Sequence, residues 1–172
     1  MKRILINLAL IVLAFTIQNS VFPLLPFLSA SPNLLLIITF SIGFIEGENS
    51  GMLYGFLTGI LLDLFYSGPF GFYSLIYILI GYFNGKCTKY YYEDYITLPL
   101  FLCVVSDLAY NLYIYIFRFL IRGRLDFFFY FREIILPEII FTTVITLLVY
   151  RLFLFITRQL EELEKRRGTK IV

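Results

Sequence analysis

From Ile4 to Ile45 the chain carries no charged side chain. No water-soluble fold hides an uncharged run of that length, whereas a hydrocarbon layer about 30 Å thick is crossed by about 20 apolar residues in helical form. The stretch Ile4–Phe22 comes close to that by itself, and Lys2 and Arg3 ahead of it suit a retained membrane anchor. A secretory signal shares the charged start, but its apolar centre runs to about 7 to 15 residues. Ser29-Ala30-Ser31, behind two prolines, is also a poor cleavage site. The rest of the chain continues in kind. Of its 172 residues 60% are hydrophobic and 15% charged, against roughly 45–50% and about 25% in soluble domains, so the surplus apolar surface must face lipid. The expected fold is an all-α integral membrane protein, with residues 1–157 as one polytopic membrane domain and residues 158–172 as a charged cytoplasmic tail.

Six transmembrane helices are expected. Pro23, Pro26 and Pro32 end the first segment, because proline disfavours helix at the residue before it. The second covers Leu34–Ile45 and stops at Glu46-Gly47-Glu48-Asn49-Ser50; the third covers Gly51–Tyr66. Both are short. At 1.5 Å per residue the second spans about 18 Å, which leaves a shallow hairpin as the alternative to two crossings. Ser67-Gly68-Pro69 turns the chain into the fourth segment, Phe70–Phe83, and tyrosines at 90, 91, 92 and 95 then mark an interface. The fifth and sixth segments, Ile96–Phe117 and Ile134–Ile156, are long. Between them Arg118 to Glu133, with Phe127, Phe128, Phe129, Tyr130 and Phe131, reads as a stretch lying in the headgroup boundary. From Arg158 the tail reads as a charged helix end, with Glu161–Lys165 and Glu162–Arg166 at i,i+4 spacing.

Six passes put both termini in the cytoplasm. The inside then holds nine basic residues (Lys2, Arg3, Lys86, Lys89, Arg158, Lys165, Arg166, Arg167 and Lys170) and the outside four (Arg118, Arg122, Arg124 and Arg132). Merging the second and third segments leaves six inside and seven outside, so the positive-inside tendency favours six passes.

Gly43, Gly47, Gly51, Gly55 and Gly59 recur at every fourth position, and Asp63 continues the series. Four residues overshoot a helical turn by about 40°, so Gly55, Gly59 and Asp63 share a stripe while Gly51 lies further round. Such a bare surface lets a second helix approach closely inside a membrane. Asp63, which costs about 2.5 to 3.5 kcal/mol at the centre of an inserting helix, should face protein along with it. The occupant is either another helix of this chain or a partner's transmembrane helix docked on Gly51, Gly55, Gly59 and Asp63. Asp107 and Asn111 stand one turn apart on the fifth helix, and Glu138, Thr142 and Thr146 form a polar row on the sixth. Each set points to a protein interior, as an interlock between helices or as a proton or cation path.

Several chemistries are excluded. The chain has no His and no Trp, so Ser-His catalysis and ordinary zinc sites lose their commonest residue. Cys87 and Cys103 form neither a metal-spaced motif nor a disulfide framework. Gly85-Lys86-Cys87-Thr88 is not a phosphate loop, since Ile80 stands where the earlier glycine belongs and Cys87 replaces the magnesium-holding hydroxyl. No catalytic constellation or cofactor motif remains, and a net charge of +2 gives no reason to expect nucleic acid.

Three strings carry a resemblance: Pro32-Asn33-Leu34-Leu35-Leu36, the helix from Gly51-Met52-Leu53-Tyr54-Gly55 to Gly59-Ile60-Leu61-Leu62-Asp63, and Gly68-Pro69-Phe70-Gly71. These resemble the rod shape-determining protein MreD family. Gln18 before the proline loop, Gly81 and Gly85 closing the fourth helix, and Leu136-Pro137-Glu138 opening the sixth are similar to the same family, over nearly the whole chain. Asn33 departs from the acidic residue often found after that proline. The resemblance implies a six-helix fold similar to the substrate-binding subunits of energy-coupling factor transporters. It also implies a non-enzymatic scaffold in the bacterial cytoplasmic membrane that binds MreC. Such a scaffold acts with the MreB filament, RodA and a class B penicillin-binding protein in lateral peptidoglycan synthesis. Phe128 and Phe129, in an arginine-bearing external loop, suit a docking rim. The fold similarity supplies the alternative of a vitamin-capture subunit; a lipid-handling protein with Asp107, Asn111 and Glu138 around a polar cavity is a third reading.

Overall fold

The computed structural model describes residues 2–24, 31–90, 97–119 and 126–168, and among them every regular element is helical. Pro26, the tyrosines at 91, 92 and 95, Arg122, Arg124 and Lys170 lie outside the described residues. Helix α1, Lys2–Thr16, continues through a π-helical turn, Ile17–Val21, and a 3-10 turn, Phe22–Leu24. Then follow α2 (Leu34–Glu46), α3 (Glu48–Phe65), α4 (Phe72–Lys86) and α5 (Thr97–Arg118). The short α6, Phe127–Tyr130, runs through a second π-helical turn, Phe131–Ile135, directly into α7, Leu136–Gly168. Among the described residues three stretches are long and apolar enough to cross a membrane: Arg3–Leu24, Thr97–Arg118 and Phe127–Ile156, with mean hydropathies of 2.0, 1.7 and 2.3.

Side-chain bonds show how the helices alternate in direction. Arg3 Nε donates to Glu46 Oε1 at 2.9 Å, tying the start of α1 to the end of α2. Thr88 just beyond α4 donates to the Gly43 carbonyl at that same end. At the opposite end Asn19 accepts a short hydrogen bond from the Tyr66 hydroxyl, and Arg118 Nη2 reaches the Ser67 carbonyl at 2.9 Å. The final helix runs alongside α2: Asn33 meets Thr142, and Phe40 stacks on Tyr150 at 6.5 Å. The N-terminus of α1 and the far end of α7 therefore share one side of the bundle.

The core is built around α2. Every residue from Leu34 to Phe44 is buried, because α1, α3, α4, α5 and α7 all pack on it. A helix apolar on every face suits a protein core or lipid, and here protein encloses it. This accounts for its length: 13 residues span about 20 Å, and protein rather than lipid surrounds them. Its N-terminal amides are satisfied by side chains, with Asn33 Oδ1 accepting from Leu36 at 3.2 Å and Gln18 Oε1 accepting from Leu35 at 3.1 Å. The π-helical turn after α1 contains Gln18, which makes that second contact.

Two expected boundaries are corrected. The polar run after the second segment is not a loop: only Gly47, at φ 95°, separates α2 from α3, and Glu48 starts the next helix. An acidic residue in a first turn is favoured by the helix dipole, so polarity here marks helix ends. The aromatic stretch is likewise not a connection separate from the sixth segment. From Phe127 onward it is the first part of the final helix, whose exposed face carries Arg132 and Glu133. That helix also passes residue 157 without a break and ends at Gly168.

Candidate functional site

Among the described residues α3 and α4 pack backbone against backbone. A Cβ placed on Gly51 would strike the backbone of Gly81 and stand 2.8 Å from the Gly43 Cα. On Gly55 it would meet the Tyr77 backbone, and on Gly59 it would stand 2.7 Å from the Ser74 amide nitrogen. The obstacles are main-chain atoms, which cannot swing aside. Gly81 and Gly85 answer from α4, against Gly51 and Glu48 respectively. Of the two occupants open to the seam at Gly51, Gly55 and Gly59, a helix of the same chain, α4, fills it. The signal for the answering half was present in the four-residue spacing of Gly81 and Gly85, read only as a family likeness.

Asp63 closes this seam. Its carboxylate accepts from the Gly71 amide at 3.0 Å, the Tyr73 amide at 2.8 Å, the Ser74 amide at 3.1 Å and the Ser74 hydroxyl at 2.6 Å. Gly71, at φ 93°, precedes α4 and has no side chain with which to cap it, so the cap comes from the end of α3. A carboxylate at a helix N-terminus is favoured both by the free amides and by the dipole. Arg118 lies over the rings of Phe72 and Tyr73 at 5.5 and 5.4 Å, which ties the end of α5 to the same corner.

A second polar assembly joins α5 to α7. Cys103 Sγ and Thr146 Oγ1 stand 3.0 Å apart, fixing the antiparallel register of the two helices. One turn on, Asp107 faces Thr142, and another turn on, Asn111 faces Glu138. Asn111 Nδ2 also donates to the Asp107 carbonyl at 3.1 Å. Thr142 Oγ1 accepts from the Asn33 amide at 3.1 Å, and Asn33 Oδ1 accepts from the Tyr77 hydroxyl at 2.9 Å, so the row continues into α2 and α4. The two polar rows noted on separate helices therefore meet. Asp107 is fully buried, and neither carboxyl oxygen has a hydrogen-bond partner.

Phe128 and Phe129 stand apart from both assemblies. They are 83% and 68% exposed on α6, next to the exposed Arg132 and Glu133. Their neighbours Phe127 and Tyr130 pack inward on Tyr115, and that packing anchors the turn. Among the described residues no group of three or more His, Cys, Asp or Glu side chains is placed to hold a metal ion.

Comparison with curated proteins and with solved structures finds no match. The family model described as rod shape-determining protein MreD matches residues 1–158. With its long apolar helices and that match over nearly its whole length, the chain belongs to the MreD family of membrane proteins in the rod shape-determining machinery.

Proposed function

We propose that this chain is a membrane scaffold of the bacterial elongation machinery, performing no turnover itself, that binds MreC and holds it beside RodA, a class B penicillin-binding protein and the MreB filament. In this reading α1 to α5 and the α6–α7 helix each cross the cytoplasmic membrane, with both termini in the cytoplasm and residues 158–172 beyond the bilayer. The alternating helix directions support it, since they put Arg3, Lys86 and Lys89 together at one end, as the positive-inside tendency prefers. Reporter fusions after Lys89 and at Asp126 should therefore report opposite sides, the first cytoplasmic. A shared side would overturn the six-pass arrangement.

The observation that carries the scaffold reading is the pair of outward phenyl rings at Phe128 and Phe129, held on a packed helix beside Arg132 and Glu133. Charged neighbours put this turn at the water boundary, where exposed aromatics and Arg are the residues that dominate binding energy. With the glycine seam filled internally, this surface is the better place for MreC. Replacing both Phe128 and Phe129 with Ala should weaken co-purification of MreC by at least about tenfold while leaving the melting temperature of the purified chain unchanged. Undiminished co-purification would remove Phe128 and Phe129 from the interface.

A further inference from the structure

Helices α1 and α3 both pack on α2, and where α2 ends at Glu46 they leave a cleft of about 510 Å³. Small-ligand sites run from about 300 to 1,000 Å³, so the cleft has room for more than water. Its lining is divided. Ile4, Ile45 and Leu53 form an apolar wall, with Ile4 and Leu53 half exposed, while Arg3, Ser50 and Tyr54 bring hydrogen-bond donors. Arg3 meets Glu46 through Nε at 2.9 Å, and a guanidinium carries further N–H groups beyond that one. Ser50 stands in the first turn of α3, where Gly47 has no side chain to cap the free amides and the helix dipole favours an anion. Tyr54 lies one turn further on, and aromatic side chains on a helix lean toward its N-terminus, here toward Ser50. The Tyr54 residue is 4% exposed, and its hydroxyl has no hydrogen-bond partner among the described residues, yet it is not sealed off as the hydroxyls of Thr39 and Ser41 are. The carboxylates at this end are already met: Glu46 accepts from Arg3 and Asn7, and Glu48 lies within the field of Lys86.

We propose that this cleft holds the phosphate headgroup of an anionic glycerophospholipid, with an acyl chain lying against Ile4 and Leu53. A buried Tyr hydroxyl ordinarily finds a partner, and a phosphate oxygen accepts from it as readily as from Arg3 and Ser50. A bare acyl chain would leave those donors unmet, and free phosphate would leave the apolar wall uncovered. A molecule with acceptors at one end and hydrocarbon at the other satisfies both. The charged ends of α1, α2 and α3 place the cleft at the boundary between water and hydrocarbon, where headgroups lie. Lys2, Arg3, Lys86 and Lys89 outnumber Glu46 and Glu48 there, which favours an anionic lipid over a zwitterionic one. The site goes beyond the scaffold reading, and it stands whichever side of the membrane this end of the bundle faces.

The test uses the full chain, stripped of lipid in a neutral detergent and melted with added phosphatidylglycerol, phosphatidylcholine or inorganic phosphate. Phosphatidylglycerol should raise the midpoint by roughly 5 °C once it is at about a hundred times its dissociation constant, and should persist as a bound lipid in the native mass spectrum. Phosphatidylcholine and inorganic phosphate should give little or no shift. Tyr54→Phe removes only an unpartnered oxygen, so without lipid it should melt as wild type, while its affinity for phosphatidylglycerol should fall roughly tenfold. Arg3→Gln should erase the preference for phosphatidylglycerol over phosphatidylcholine; if it fails to fold, Tyr54→Phe combined with Ser50→Ala carries the test. Equal shifts with both lipids, the result that a cleft kept for a partner's helix gives, would overturn the site. An inorganic phosphate shift matching that of phosphatidylglycerol would overturn the lipid as its occupant, and wild-type lipid affinity in Tyr54→Phe with Ser50→Ala would remove the cleft from lipid binding altogether.

Discussion

Gly81→Leu should leave no folded protein. A Cβ at this position would collide with the carbonyl group of Gly51, and further carbons would be driven into the backbone of α3. Overpacking a core where side chains can adjust costs about 1 to 3 kcal/mol. Here the obstacle is main chain, so α3 and α4 must separate along their whole seam. Their separation would also uncover α2, since Gly43 meets Gly81 at the same crossing. Domains are stable by only about 5 to 15 kcal/mol, and this loss should exceed that margin. Size-exclusion chromatography in mild detergent should show the monodisperse peak replaced by aggregate. Gly68→Ala is the control: its nearest obstacle is the flexible Arg118 guanidinium at 3.4 Å, and it should behave as wild type. A well-folded Gly81→Leu protein with the wild-type melting curve would mean that α3 and α4 do not meet in this way.

Asp63→Ala should cost about 3 kcal/mol, because it deprives the Gly71, Tyr73 and Ser74 amides of a charged acceptor at the start of α4. For a chain of this size that corresponds to a drop of roughly 10 °C in melting temperature. Asp63→Asn should recover about half, since its amide oxygen can still accept from two donors but carries no charge. This ordering separates capping from simple packing. If Asn were as damaging as Ala, shape rather than hydrogen bonding would explain the site, and if Ala were harmless the cap would have no energetic role.

The helical content was legible because charge-free runs have few other outcomes, and α5 was placed within a residue or two at each end. The misreadings have a common cause. In the sequence Glu46 and Glu48 read as a polar stop and Arg132 as part of a headgroup-boundary stretch, yet polar side chains also belong at helix ends and on the outer turns of long helices. Glu46 is paired with Arg3 and Asn7, and Glu48 opens α3. The glycine stripe and its acidic end were visible as a pattern, but the identity of the occupant was not, since close approach says nothing about which helix approaches. Asp63 was expected to face protein; that its protein would be a helix start followed from Gly71, which leaves α4 without a cap of its own. The four-residue rows on α5 and α7 were each evident. Their mutual register depends on Cys103, which extends the Asp107–Asn111 row by one turn and meets Thr146.

The enclosure of α2 has a consequence for biogenesis. A ribosome delivers this segment long before α7, so the Asn33 amide is made without the hydroxyl that will eventually accept from it. Until Thr142 is synthesised the emerging bundle is an unfinished cup around its own centre, and α7, arriving after the other helices packed on α2, acts as the keystone that seals it.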